Sequence, residues 1–161
     1  SLAQHNPRMK IPALVLDDGS SLMDSPLICE YLDSLHDGRK LFPSSGPERW
    51  TALRILALGD GVCDAVLLRR YEMVRPEAYC WPDQLAKQTV KINQGLAQLD
   101  RDAAGFRAEP TIGEIAVACT LGYLDLRFSD DGWRDRCPNL AHWYAGFGQR
   151  PSMRATEPPK D

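Results

Sequence analysis

The apolar run at residues 11–16, IPALVL, restricts the fold more than any other segment of the sequence. It is short and continuously apolar, which is typical of a strand that is covered on both faces. Residues 17–20 carry a D-G turn signal and residues 21–23 predict a second strand, so the segment should form a β-hairpin. Two strands cannot build a core of their own. We therefore expect more structure beside this hairpin, from missing upstream sequence, which we favour, or from a partner chain.

Helical periodicity describes nearly all of the remaining chain. Ser25 suits an N-cap and Pro26 suits the first helical position, so a helix is predicted from there to about residue 36. A linker rich in Pro, Ser and Gly follows at residues 41–47. Beyond the linker we predict a bundle of helices, at residues 48–75, 83–103, 111–128 and 139–149. The predicted domains are residues 1–43 and 48–150, followed by a loose, Pro-rich and charged tail at 151–161.

Composition excludes several classes of partner. The chain has 19 Lys and Arg against 22 Asp and Glu, a formal net charge of -3, whereas nucleic-acid binding needs a surplus of positive charge. No apolar run approaches the roughly 20 residues that span a membrane. The five cysteines contain no C-x-x-C pair, and the three histidines show no metal-ligand spacing. These features predict a cytoplasmic protein with reduced cysteines and without a metal, a nucleic-acid partner or a membrane partner.

Three segments resemble motifs of the cytosolic glutathione transferases. Residues 6–14, NPRMKIPAL, are similar to the family's N-P-x-x-K-[IV]-P-x-L segment, and Asp24-Ser25 resembles the [ED]-S pair that opens its next helix. Residues 111–116, TIGEIA, resemble the family's capping motif, with Glu114 at a position that is usually Asp. Residues 121–128 further resemble a bacterial subgroup. The resemblance implies a mostly α fold, in which a partial thioredoxin-like α/β piece, the hairpin and one helix, precedes an all-α glutathione-transferase bundle.

The resemblance places the cysteinyl part of glutathione at the hairpin. In the family, the proline at the position of Pro12 is cis and turns the neighbouring backbone outward. Ile11 would then pair with the peptide of glutathione as an added strand does. Without the resemblance, an ordinary trans-proline at a strand edge is the simpler interpretation of Pro12.

The resemblance also assigns the two charged ends of glutathione. Ser25 lies at a predicted helix N-terminus, where free N–H groups and the helix dipole favour the γ-glutamyl carboxylate. Asp24 would receive the γ-glutamyl ammonium group. Plain helix capping is the alternative role for Ser25. Lys10 and Asn6 are weaker candidates for the glycine end, and a solvated surface is an equally good interpretation of both.

The first long helix lines the cleft between domains in this family and contributes to its dimer interface. The resemblance thus implies that Arg70 or Tyr71 contacts a second substrate. Asp60 or Asp64 would border glutathione or a partner subunit. Internal salt bridges are the alternative for these side chains. Thr111 and Glu114 are assigned a structural role, as a T-x-x-E capping box at the start of a later helix.

The activity that the resemblance implies is transfer of glutathione to a small hydrophobic electrophile by a homodimer, with glutathione as a substrate. In the family a Tyr, Ser or Cys near the first strand stabilises the thiolate. We expect that strand upstream of residue 1, so we name no catalytic residue here. Two other kinds of function fit the sequence: a non-catalytic binding or interaction module on the same fold, and a glutathione-dependent reductase or isomerase.

Overall fold

The computed structural model describes residues 1–158. The chain divides into two compact units, of which the first spans Ser1–Ser44 and the second begins at Ser45. The first unit holds a hairpin with a helix on either side. All the regular secondary structure of the second unit is helical among the residues described.

The first unit begins with a short helix and a β-hairpin. Its elements are α1 (Leu2–His5), β1 (Leu14–Val15), β2 (Ser21–Leu22) and α2 (Ser25–Ser34). β1 and β2 pair antiparallel, with Leu14 opposite Leu22 and Val15 opposite Ser21. The hairpin is confirmed, but β1 is shorter than the strand predicted at residues 11–16.

Within the described residues the strand is partly exposed, and its predicted cover by upstream sequence or by a partner chain stays a prediction. Ile11 is 84% exposed and Val15 is 46% exposed. The reason is that β2 is the sole partner of β1 among residues 1–158, and a two-stranded ribbon leaves both its faces open.

Helix α2 begins one residue earlier than the sequence predicts, and its N-cap residue is also one position earlier. Asp24 is the N-cap residue, Ser25 is the first helical residue and Pro26 is the second. The helix ends at Ser34, where residue 36 was expected. Near its end, the buried carboxylate of Asp33 accepts hydrogen bonds from the backbone N–H groups of Leu41 at 2.9 Å and Phe42 at 3.0 Å. Asp33 therefore holds the linker against the end of α2.

The second unit contains the predicted helices and several short additions. Its helices are α3 (Gly46–Met73), α4 (Pro82–Asp102), α5 (Ile112–Arg127), α6 (Trp133–Arg136), α7 (Pro138–Phe147) and α8 (Pro151–Ala155). Two 3₁₀ segments lie at Glu77–Tyr79 and Ala103–Gly105. Helix α8 occupies part of the tail that was predicted to be loose, and residues 159–161 of that tail lie outside the described residues.

The hydrophobic core belongs to the helical unit. α3 packs against both α4 and α5, and the core contains Val66, Ile92, Leu121 and Trp133, each at most 1% exposed. The helices approach closely at glycines: a Cβ on Gly113 of α5 would lie 2.8 Å from the backbone oxygen of Ala52 on α3. The sequence therefore places a glycine where the backbones of α3 and α5 meet.

A capping box fixes the start of α5. The Thr111 side chain accepts from Gly113 N–H at 3.2 Å, and the Thr111 N–H donates to the Glu114 carboxylate at 2.9 Å. Glu114 also accepts from the backbone N–H of Arg107 at 3.2 Å, which ties the preceding loop to the helix. The prediction of a mostly α fold with a small hairpin piece is confirmed.

Candidate functional site

The hairpin brings the two predicted halves of the ligand site together within the first unit. Pro12 and Asp24 each lie two residues beyond the paired residues Leu14 and Leu22, so they share one end of the hairpin. The Ile11–Pro12 peptide bond is cis, and so is the bond from Met23 to Asp24. Ile11, which is 84% exposed, therefore lies at the same end of the hairpin as the start of α2.

A tight turn at residues 6–10 leads into this edge. Asn6 is only 2% exposed, and its amide nitrogen donates to the Lys10 carbonyl at 2.6 Å. The Asn6 side-chain oxygen accepts from the Arg8 N–H at 2.9 Å. Met9 has a left-handed backbone, with φ of 53°. The buried amide of Asn6 thus builds the turn, whereas Lys10 lies exposed beside it.

The N-terminus of α2 keeps hydrogen-bond donors for a ligand. Asp24 is the N-cap residue, but its side chain makes no capping hydrogen bond. Pro26 has no N–H, and Ile28 N–H donates to the Asp24 carbonyl at 3.0 Å. The N–H groups of Ser25 and Leu27 are first-turn donors without a partner inside the helix. With the helix dipole they favour an anion at this position.

Arg8 is a residue of this site that the sequence did not indicate. Its guanidinium Nη1 lies 3.2 Å from Oδ2 of Asp24, so the turn at residues 6–10 and the start of α2 are joined by an ion pair. The two residues are 16 positions apart in the chain. The sequence alone does not show that Arg8 and Asp24 are neighbours, because the hairpin has to form before they meet.

The other four predicted residues lie on α3 of the helical unit. Asp60 and Arg70 are half-buried, whereas Asp64 and Tyr71 are exposed, Tyr71 by 57%. Asp60 and Asp64 flank Cys63. Burial, then these two carboxylates, raise the pKa of the Cys63 thiol. That thiol is therefore a poor nucleophile at neutral pH.

The helical unit also contains a cavity of about 930 Å³ between α5, α7 and the segment that holds α8. Its wall includes Tyr123 and Tyr144, together with an ion pair of 2.6 Å between Arg134 Nη2 and Asp125 Oδ2. Burial, followed by the charge of Asp125, raises the pKa of Tyr144. The Tyr144 phenol therefore stays a hydrogen-bond donor at neutral pH. The four predicted residues of α3 are not part of this wall.

Other kinds of site find little support in the part of the chain described. Within residues 1–158, the His, Cys, Asp and Glu side chains do not assemble a group of three or more that could hold a metal. Over the same residues, the search for helices long and apolar enough to cross a membrane found none.

Comparison with known proteins identifies the family. The sequence profile of the glutathione S-transferase N-terminal domain matches residues 1–35, and that of the C-terminal domain matches residues 82–146. The chain belongs to the glutathione S-transferase family. It is 35% identical to the uncharacterized GST-like protein YibF of Escherichia coli, over 99% of this chain and 80% of YibF.

Solved structures agree with this assignment. A glutathione transferase family member from Pseudomonas fluorescens Pf-5, solved with bound glutathione, has a TM-score of 0.95 and 46% identity, covering 99% of this chain and 78% of that one. A glutathione S-transferase from Methylobacillus flagellatus, solved with glutathione bound, has a TM-score of 0.93 and 38% identity, covering 98% and 80%.

Proposed function

We propose that this protein binds glutathione and transfers it, through its sulfur, to a small hydrophobic electrophile. The observation that carries the proposal is that Ile11, which is 84% exposed, shares one end of the hairpin with Asp24 and Ser25 at the start of α2. The relatives that were solved with glutathione bound support the same ligand.

The binding mode follows from the chemistry of each group. Glutathione is an extended peptide, so its cysteinyl amide can pair with the N–H and C=O of Ile11 beside Pro12, as an added strand does. The γ-glutamyl carboxylate suits the first-turn donors of α2 and the hydroxyl of Ser25. The γ-glutamyl ammonium suits the carboxylate of Asp24, and the exposed Lys10 suits the glycyl carboxylate.

The reaction is nucleophilic substitution or addition by sulfur. The glutathione thiolate forms a C–S bond with the electrophilic carbon, and either a leaving group departs with its electron pair or a proton adds to the neighbouring carbon. A free thiol has a pKa near about 8.5, so a bound thiolate must be stabilised to react well at neutral pH. We assign that step to no residue of this chain. The site residues named here hold glutathione and orient its sulfur.

The second substrate has two candidate positions in the helical unit. The resemblance favours Arg70 and Tyr71 on α3, and we propose these residues as its contacts. The cavity beside Tyr144 is the competing position. Tyr71→Ala should raise KM for the electrophile and leave KM for glutathione unchanged, whereas Tyr144→Phe should change neither. The reverse pattern would move the electrophile to the cavity.

We propose further that the protein is a homodimer built on the α3–α4 face. A shallow groove there is lined by the small residues Ala57 and Gly61 of α3 and by Lys91 of α4. The exposed Asp64 of α3 and Lys91 have opposite charges, so a twofold contact can pair them across two copies. Sedimentation should show a dimer for the parent chain and a monomer for Gly61→Arg, with Gly146→Arg on α7 as the control.

A cytoplasmic location is proposed on the chemistry of the thiols. None of the five cysteines, all of which lie within residues 1–158, forms a disulfide. Such thiols persist in a reducing compartment. Fractionation of the native host with an antibody to this chain tests the location.

The test of glutathione binding is calorimetric titration of the chain with glutathione, alongside Ser25→Ala and the control Ser34→Ala at the other end of α2. Loss of the Ser25 hydroxyl should weaken binding about fivefold, which is the usual value of one such contact. Ser34→Ala should leave the affinity unchanged.

A folded chain that does not bind glutathione would favour the interaction-module alternative. Binding without conjugation of 1-chloro-2,4-dinitrobenzene would limit the proposal to recognition.

A further inference from the structure

The side chain of Asp24 does not cap helix α2, although it occupies the N-cap position. Asp is among the best N-cap residues, because its carboxylate accepts a hydrogen bond from the first turn of its own helix. Asp24 is the N-cap residue of α2, yet its side chain makes no capping hydrogen bond. Its Oδ2 lies instead 3.2 Å from the guanidinium Nη1 of Arg8.

Arg8 is itself held in place from the other side. Its backbone N–H donates to the side-chain oxygen of the buried Asn6 at 2.9 Å. The backbone N–H of Met9 donates to the Asn6 carbonyl at 2.9 Å, and the amide of Asn6 donates to the Lys10 carbonyl. The turn that carries Arg8 is therefore fixed by a residue that is 2% exposed.

We propose that Arg8 is a positioning residue, which keeps the Asp24 carboxylate away from the N–H groups of its own helix. This inference rests on the proposed glutathione site. With Asp24 drawn toward Arg8, the N–H groups of Ser25 and Leu27 stay available for a ligand carboxylate. The Asp24 carboxylate also stays available for a ligand ammonium. The site then accepts a ligand end that carries both charges on one carbon, as the γ-glutamyl end of glutathione does.

The Asp24 carboxylate can either pair with Arg8 or cap its own helix, and the two states are close in free energy. The presence of Arg8 therefore decides between them. An exposed ion pair and an N-cap hydrogen bond are of comparable strength. The side chains of Arg8 and Asp24 are 57% and 53% exposed, so their attraction is screened by water and salt. Without Arg8 the carboxylate should turn onto its helix and occupy the donors that the ligand uses.

The test is a double-mutant cycle on glutathione affinity, measured by calorimetric titration of the full chain. Arg8→Gln should weaken glutathione binding about fivefold, the value of the cap that forms in its place. In an Asp24→Ala background, where no carboxylate can turn onto the helix, Arg8→Gln should change affinity less than about twofold. Arg8→Lys, which keeps the charge, should bind within about twofold of the parent. Far-UV circular dichroism confirms that each variant is folded.

Three outcomes would overturn the inference. Full glutathione affinity in Arg8→Gln would show that Arg8 does not control Asp24. An equal loss in both backgrounds would show that Arg8 acts on the ligand itself or through the fold. Failure of the folded parent chain to bind glutathione would remove the proposed function together with this inference. The first two outcomes would remove the inference alone, because the parent chain binds glutathione in both.

Discussion

The carboxylate of Asp100 on α4 accepts a hydrogen bond of 2.8 Å from the backbone N–H of Leu140 in the first turn of α7. It also accepts one of 3.2 Å from the side-chain amide of Asn139. The N-cap residue of α7, Cys137, makes no capping hydrogen bond with its own side chain. Asp100 therefore caps α7 from a neighbouring helix and holds α4 and α7 together.

The first prediction concerns this cap. Asp100→Ala should lower the free energy of unfolding by about 1–2 kcal/mol, because a first-turn N–H of α7 loses its acceptor. Urea denaturation followed by circular dichroism measures the change. Asp135→Ala removes an exposed acidic side chain from α6 and should cost less than about 0.5 kcal/mol. Equal losses in the two variants would rule out a specific capping role.

The second prediction concerns the contact of α5 with α3. A Cβ on Gly113 would lie 2.8 Å from the Ala52 carbonyl oxygen and 2.8 Å from Cβ of Ile55. Neither atom is the end of a flexible side chain, so Gly113→Ala should cost about 1–3 kcal/mol of unfolding free energy. Gly146 of α7 has nothing within 4 Å of its Cβ position. Gly146→Ala should therefore be neutral or slightly stabilising, and calorimetric melting temperatures would separate the two.

Sequence patterns recovered those elements that are long or carry a cap. The T-x-x-E signature places the start of α5 immediately after Thr111, where the structure has it. Helix α6 spans only Trp133–Arg136, and four residues are too few to show a helical period. The extent of β1 also escaped prediction, because strand length depends on which neighbours are present to pair with it and composition does not report them.

Fewer residues of the candidate site could be identified from the sequence. Residues that lie in contiguous motifs, such as Pro12 and Ser25, could be singled out from the sequence. Arg8 could not, because its partner Asp24 is 16 residues away and only the hairpin register brings them together. Asn6 was considered as a ligand contact, but its buried amide builds the turn at residues 6–10. The alternative of a solvated surface was also wrong for Asn6, because the side chain that builds this turn is 2% exposed.

The third prediction is that the free energy of unfolding depends on pH in the acid range because of Asp33. Burial alone raises the pKa of Asp33. The hydrogen bonds from Leu41 and Phe42 and the nearby charges of His36 and Lys40 outweigh it, so the net pKa is below its usual value. A lowered folded pKa means that the stabilisation is present above the unfolded pKa of about 3.9 and is lost as pH falls through the folded value.

Replacing Asp33 should therefore make the free energy of unfolding vary less with pH in the acid range. Asp33→Asn should be less stable than the parent near neutral pH, and the difference should shrink as pH falls below about 4. Urea denaturation at several pH values measures this difference. Asp37→Asn removes the same charge from an exposed position and serves as the control. A difference from the parent that stays constant down to the lowest pH would contradict the assignment.

The fourth prediction concerns Asp131, which joins two arginines beside the end of α5. Its carboxylate side chain is only 7% exposed, lies 2.8 Å from Nη1 of Arg69 and also pairs with Arg136. Arg69 in turn stacks over Phe128, with its guanidinium carbon 4.3 Å from the ring centre. Burial raises the pKa of Asp131, but the two arginines outweigh it and leave the pKa below its usual value. This carboxylate is therefore charged in the folded state, and it balances a guanidinium that is itself largely buried.

Asp131→Asn should lower the free energy of unfolding by about 2–4 kcal/mol, because the side chain of Arg69 is only 18% exposed and would lose its counter-ion. Asp130→Asn, at the neighbouring exposed position, should cost less than about 0.5 kcal/mol. Adding Arg69→Met to Asp131→Asn should recover part of the loss, since the uncompensated charge is then removed. Urea denaturation of the parent, Asp131→Asn, Arg69→Met and the double variant completes the cycle. If the double variant is no more stable than Asp131→Asn alone, the cost lies in packing around Asp131 and the ion pair is not its source.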